Sequence, residues 1–153
     1  MHHRLSVGLL AELTPPLFFN GVSGVGSPYW LPDFKSRFIG EGNTTEKLVA
    51  VVESILFLIQ ANLDEMQIYV GAPRQIIVSG GLSALNGLCL RLASLSGLTV
   101  KRTENQEATA RGLAYLLSKS TKFKDTAYSL FEPKASRELE RRYELWQKNM
   151  RSD

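Results

Sequence analysis

Residues Gln75 to Leu98 read QIIVSGGLSALNGLCLRLASLSGL. Gln75-Ile76-Ile77-Val78 is a β-branched run of strand length, with Pro73 just before it and glycines just after. Gly80-Gly81 allows a sharp turn where a side chain would clash. Ser83 is placed to cap a helix that begins at Ala84. Leu85, Leu88, Cys89, Leu92 and Leu95 then form an apolar stripe at three-four spacing, and Gly97 stops the helix. A strand that enters a helix N-terminus through bare backbone suits an anion or a nucleotide. It equally suits a purely structural turn, and a lone diglycine does not choose between them.

Outward from this stretch, strands and helices alternate. Pro15-Pro16 closes an N-terminal tail that holds at most one helical turn, around Val7 to Leu13. Leu17-Phe18-Phe19 reads as a short buried strand. Asn20 to Pro28 is a glycine-rich loop without the Gly-Lys-Ser/Thr ending of a P-loop, and Tyr29-Trp30-Leu31-Pro32 follows it where a P-loop would have a helix. A loop pinned onto the core is the better reading. Phe34 to Ile39 reads as an extended piece.

Thr44 or Thr45 is expected to cap the longest helix, which carries Leu48, Val51, Val52, Ile55, Leu56, Ile59, Leu63 and Met66 on one broad face. Val70 to Pro73 ends it. After the central helix, Leu98 to Arg102 predicts another strand. Gln106 to Leu117 predicts a helix whose Ala108, Ala110, Gly112 and Ala114 invite close backbone approach. A mid-helix glycine costs about 1 kcal/mol relative to alanine, so Gly112 suggests tight packing or a nearby ligand. Ser118 to Pro133 reads as a polar connection. A last helix, Ala135 to Met150, places Leu139, Tyr143, Trp146 and Met150 on one stripe above charged faces. This order predicts an α/β domain with a central sheet covered by helices.

The chain's 153 residues are one domain's worth, with enough apolar residues for a real core. The net charge of +3 is concentrated in the last third, which fits a solvated basic surface. No basic run is interleaved with aromatics as a single-strand nucleic-acid platform requires, so no nucleic-acid partner is expected. Cys89 is the only cysteine, so no internal disulfide forms, and its place on an apolar stripe predicts a buried, inert thiol. His2 and His3 alone do not make a metal site. No apolar run reaches the roughly 20 residues of a membrane span, and Leu5 to Leu13 contains Glu12 and makes a poor signal peptide. No membrane association is expected, and a reducing cytoplasm is the expected compartment.

Five segments in order resemble the FGGY carbohydrate kinases, most like the glycerol kinases in pattern. FFNGVSGVGSPYW is similar to a glycine-rich, Pro-Tyr-Trp segment of that family. SRFIG with EKLVAVVESILF resembles its second signature, ending on Glu53. IIVSGGLSALNGLCLRLASLSGLTV resembles its diglycine adenosine segment. ENQEATARGLAYLL and the Phe131-Glu132-Pro133 run with the Tyr143-to-Trp146 helix resemble its last segments. The resemblance runs from about Pro16 to Met150.

It implies half of an actin-like ATPase (ribonuclease H-like) fold, with the first strands of that domain missing. Residues 1–15 would be a tail, 16–133 the nucleotide-side C-terminal domain, and 134–153 a helix docked on it. The family uses ATP with Mg²⁺ to phosphorylate a polyol or sugar hydroxyl. The catalytic aspartate, the magnesium-associated acids and the phosphate-contacting Gly-Thr-Gly turn belong to regions before the one this chain resembles. The isolated chain is therefore expected to be inactive, with ATP or ADP and a missing N-terminal kinase domain as partners.

Gly80 and Gly81 match the glycines that lie against the nucleotide, and Leu82, Leu85 and Asn86 complete the implied binding set. Several positions depart from the pattern. Leu85 stands where glycerol kinases commonly have an asparagine facing adenine, and Asn86 comes one position later, about 100° around a helix. Leu82 replaces a usually small residue, Ser79 a usual aspartate or glycine, and Arg111 a frequent leucine or isoleucine. The alternative is a scaffold module that kept the fold and lost nucleotide binding. In either case an uncovered sheet edge invites a second chain, so a homo-oligomer is expected.

Overall fold

The computed structural model describes residues 14–104, 107–118 and 127–151. The expected helical turn at 7–13, His2 and His3, and Gln106 at the start of the predicted third helix lie outside these residues. The order is β1 (Leu17–Phe19), β2 (Arg37–Ile39), α1 (Thr44–Val70), β3 (Ile76–Val78), a 3₁₀ turn (Gly81–Ala84), α2 (Asn86–Ser96), β4 (Val100–Thr103), α3 (Ala108–Ser118), β5 (Tyr128–Phe131) and α4 (Arg137–Met150). The α/β class is as expected, but the strands divide between two sheets. β1 and β2 form an antiparallel pair, and β3-β4-β5 forms the second sheet. β3 runs parallel to β4, and β5 runs antiparallel to β4. β5 falls within the stretch expected to be a polar connection. No described helix is long and apolar enough to cross a membrane.

α1 begins at Asn43 rather than at a threonine. The Asn43 side chain accepts from the Thr45 and Glu46 amides at 2.9 and 3.0 Å, and Glu46 Oε2 accepts from the Asn43 amide at 2.7 Å. This reciprocal box satisfies amides that have no partner within the helix. Val49, Val52, Leu56, Phe57 and Ala61 line its buried face. The last turns leave the core: Met66, Ile68, Tyr69 and Val70 are exposed, so the apolar face predicted to reach Met66 is open at its far end.

α4 starts at Ser136, whose Oγ accepts from the Leu139 amide. It sets Leu139, Tyr143, Trp146 and Met150 into the core as the stripe predicts. Trp146 stacks on Phe19 and meets Tyr29 edge-on, and Phe57 packs against both Tyr143 and Trp146. Aromatic pairs of this kind contribute about 1 kcal/mol each beyond area burial. Tyr29 pins the glycine-rich loop here, and backbone bonds between Val25 and Leu31 close the loop at 2.8 Å each way.

Beneath this cluster lies a buried charge. Glu53 is 1% exposed and sits on the apolar face of α1. It accepts from Arg91 Nη1 of α2 at 2.6 Å and from Arg142 Nε of α4 at 3.0 Å. Arg142 Nη1 also donates to Pro15 O at 2.7 Å. One carboxylate thus joins three helices and the entry to β1.

Candidate functional site

The inner face of the second sheet aligns Ile76, Val100 and Phe131 in one row and Val78, Arg102 and Ser129 in the next. α2 packs on this face through Leu88, Cys89 and Leu92, all buried. The connection from β3 to α2 is the candidate site. Gly80 carries it with φ +92° and ψ 172°, a backbone state that side chains strongly disfavour. The next residues form a single 3₁₀ turn closed by Ser83 N to Gly80 O at 3.1 Å and Leu85 N to Leu82 O at 3.1 Å.

Ser83 does not cap α2. It is 5% exposed, and its hydroxyl donates to Gly80 O at 2.7 Å, which tightens the turn instead. The helix begins two residues later than predicted, at Asn86, with Leu85 in the N-cap position at φ −80° and ψ 102°. Leu85 provides no capping side chain, so the first amides of α2 are not capped from that position. Gly97, in the left-handed conformation, ends the helix as expected.

The five residues picked out from the sequence are close in the chain but differ in environment. A Cβ at either Gly80 or Gly81 would have nothing within 4 Å, so bare backbone faces open space. Leu82 is exposed beside it. Leu85 is 2% exposed, and its side chain belongs to the core rather than to the surface of the turn. Asn86 is exposed and takes the outward position.

Sequence reasoning missed Arg102. Its Nη1 donates to Ser83 O at 3.0 Å and to Asn86 Oδ1 at 2.8 Å, and its guanidinium lies 4.9 Å from the Phe131 ring centre. Cys89 Sγ shares Ser83 O at 3.3 Å. Burial pushes the Cys89 thiol up from its ordinary value, and the nearby Arg102 charge opposes that without reversing it. The thiol is therefore protonated near neutrality and a poor nucleophile.

Chemically, the turn offers an open glycine backbone, an uncapped helix start, an exposed amide and a half-buried cation. That set suits a ligand with anionic and hydrogen-bond-accepting groups. It contains no carboxylate. Among the described residues no group of three or more His, Cys, Asp or Glu side chains converges. The donors at the turn therefore do not fit a Mg²⁺ ion, which takes oxygen ligands including carboxylates.

Gly112 does not mark a tight contact. A Cβ there meets nothing within 4 Å, and Leu113, Leu116 and Leu117 of α3 are exposed.

Residues 6–120 match the C-terminal domain of the FGGY family of carbohydrate kinases. A glycerol kinase of Alkalilimnicola ehrlichii is 32% identical over 140 residues, covering 84% of this chain and 28% of that protein. One from Ralstonia nicotianae is 38% identical over 111 residues, covering 70% of this chain and 22% of that protein. The chain thus spans under a third of the length of these relatives. In structure, it resembles Plasmodium falciparum glycerol kinase, solved with ADP, at a TM-score of 0.79 and 16% identity, over 98% of this chain and 33% of that one. A xylulose kinase from Rhodospirillum rubrum superposes at 0.75 with 13% identity, over 99% of this chain and 34% of that one. At such identities the likeness establishes the fold, which is that of the FGGY kinases.

Proposed function

The chain belongs to the FGGY family of carbohydrate kinases, matching its C-terminal domain, and from that premise we propose that it forms the ATP-side wall of a glycerol-kinase-like enzyme. The whole enzyme transfers the γ-phosphoryl of ATP to a polyol or sugar hydroxyl. Gly80, Gly81, Leu82 and the side chain of Asn86 face the nucleotide, and Leu85 completes the set by anchoring the turn, its side chain in the core and its N–H bonded to Leu82 O. Residues 16–133 make the nucleotide-side unit, and the helix within 134–153 is docked on it. The observation that carries this reading is the open turn: Gly80 at φ +92°, with free space where side chains at 80 and 81 would stand. Bare backbone of this kind lets phosphate or ribose approach closely.

In this reading Mg²⁺, the base aspartate and the phosphate-binding turn come from other parts of the enzyme. Phosphoryl transfer depends on positioning and on neutralising charge with those groups. The 153 residues alone should therefore produce no ADP from ATP in the presence of glycerol or sugars, and acceptor-dependent ADP release by the pure chain would contradict this. Nucleotide binding itself is tested by amide NMR with Mg-ADP. Saturable shifts centred on Gly80, Gly81 and Asn86 are expected, and an unchanged spectrum at millimolar nucleotide would remove the reading.

A scaffold role is favoured by a different observation. Ile77, Tyr128 and Leu130 are exposed on the outer face of the second sheet, and β3 is an edge strand among the described residues. Such an edge pairs readily with another chain. Self-association visible as a concentration-dependent sedimentation coefficient, without nucleotide shifts, would favour this second reading over the first.

A further inference from the structure

We infer that Arg102 is the positioning residue of the candidate nucleotide wall and that it fixes which end of the Asn86 amide faces the ligand. The inference rests on the reading of Gly80 to Asn86 as that wall. Arg102 lies on β4, a strand that contributes none of the five proposed binding residues. From there one guanidinium nitrogen reaches both ends of the connection: Ser83 O in the 3₁₀ turn at 3.0 Å and Asn86 Oδ1 at the first position of α2 at 2.8 Å. The guanidinium's own position is set by the Phe131 ring, 4.9 Å away on the neighbouring strand.

The chemistry then leaves little freedom. Arginine only donates, so the asparagine atom facing it is the carbonyl oxygen. Asn86 Oδ1 is thereby committed, and the Nδ2 group is the end left for a ligand. Asn86 is exposed, so that end is accessible. The wall presents two N–H donors there and favours a ligand acceptor, such as an aromatic ring nitrogen or a phosphate or ribose oxygen, over a ligand amine. By holding the turn and the helix start together before ligand arrives, Arg102 also lowers the ordering cost of binding.

The test uses the full chain, Mg-ADP, and isotope-labelled protein. In the wild type, the Asn86 side-chain NH₂ cross-peak should move saturably with ADP, in step with the Gly80 and Gly81 amides. If the glycine amides move and the Asn86 NH₂ peak does not, the inference is overturned while the nucleotide reading stands. If none moves, the nucleotide reading falls and the inference falls with it, before any variant is made. Arg102→Lys keeps the charge but not the reach to both acceptors, and Asn86→Ala removes the donor from an exposed position. Each should weaken ADP binding about tenfold, the scale of one lost charge-assisted hydrogen bond. The double variant should lose little more than Asn86→Ala alone, because Arg102 acts largely through Asn86. Fully additive losses, or an Arg102→Lys protein that binds as well as wild type, would overturn the inference. Should Arg102→Lys fail to fold, an unmoved Asn86 NH₂ peak in the wild type still overturns the inference.

Discussion

The Trp146 side of the molecule and the α3 side are both rich in large apolar residues, and they treat them oppositely. Around α1, β1 and α4, Phe19, Phe57 and Trp146 are almost wholly buried, and the buried carboxylate of Glu53 is engaged by two arginines. On α3 and the outer face of the second sheet, Leu116, Leu117 and Ile77 are 73%, 76% and 63% exposed. The first region is finished within the described residues. Among the described residues, the second has the residues of a core without a layer that covers it. The candidate wall, from Gly80 to Asn86, starts from the open sheet and rests on the finished side through α2. Apolar content alone therefore does not locate a core, because the covering element decides it.

The largest effect should come from the finished side. Trp146→Ala removes the ring shared by Phe19, Tyr29 and Phe57 and should cost about 4 kcal/mol, read from urea unfolding. A loss that size is a large part of a small domain's total stability. Glu53→Ala leaves Arg91 and Arg142 without their carboxylate and should cost about 3 kcal/mol, whereas a change within error would mean the buried pairs contribute nothing net.

Tyr143→Phe is smaller, about 2 kcal/mol, because the ring stays and what is lost is the 2.6 Å bond its hydroxyl donates to Asp64 Oδ2 and the 2.8 Å bond it accepts from Gln147 Nε2. It also has a pH signature. Burial first, then the Asp64 hydrogen bond, pushes the Tyr143 phenol above its ordinary value. A raised folded-state value means the stabilisation is fully present below the free-tyrosine pKa of about 10 and is lost as pH rises beyond it. The wild type should therefore lose stability above that pH more steeply than Tyr143→Phe, and parallel profiles would rule this out.

The smallest effect belongs to the open side. Leu116→Ala should change stability by no more than about 0.5 kcal/mol. A cost near that of Trp146→Ala would show that α3 is covered after all and would erase the contrast.

The sequence made the β3–turn–α2 unit legible because a β-branched run, two glycines and a three-four leucine stripe each carry their own physical constraint. Caps were harder. Asn43, Thr44 and Thr45 all have capping chemistry, and only the return bond from Glu46 decides among them. Ser83 looked like a cap because serine often is one, but its hydroxyl bonds to a carbonyl within the turn. β5 was missed because Tyr128 to Phe131 is short and lies in a polar stretch, so its pairing with β4 is set by tertiary structure.

Of the candidate site, the glycines could be read locally. The burial of Leu85 was legible as well, because it stands on the apolar stripe with Leu88, Cys89 and Leu92, and that burial withdraws its side chain from the implied binding set. Arg102 was missed although strand alternation puts it on the face of Leu98 and Val100; what the sequence does not show is that its guanidinium reaches Ser83 O and Asn86 Oδ1. Glu53 did leave a trace: it falls four residues after Val49 on the buried face, where a charge is unexpected. Gly112 misled because its helix has open space around it, so its cost in helix propensity reports no close contact.

The Arg142 and Trp146 contacts also bear on the order of folding. Arg142 donates to Pro15 O, and Trp146 Nε1 donates to Phe18 O, across 127 and 128 residues of sequence. Bringing such distant segments together carries the loop-closure entropy of nearly the whole chain. Local pieces such as the capped start of α1 do not have to wait for it. The first and last segments should then join after the rate-limiting step, and the joint should act as a latch. Weakening it by Arg142→Lys should speed unfolding while leaving refolding almost unchanged. Resistance to opening would reside in the joint between β1 and α4, although the candidate chemistry lies between them in sequence.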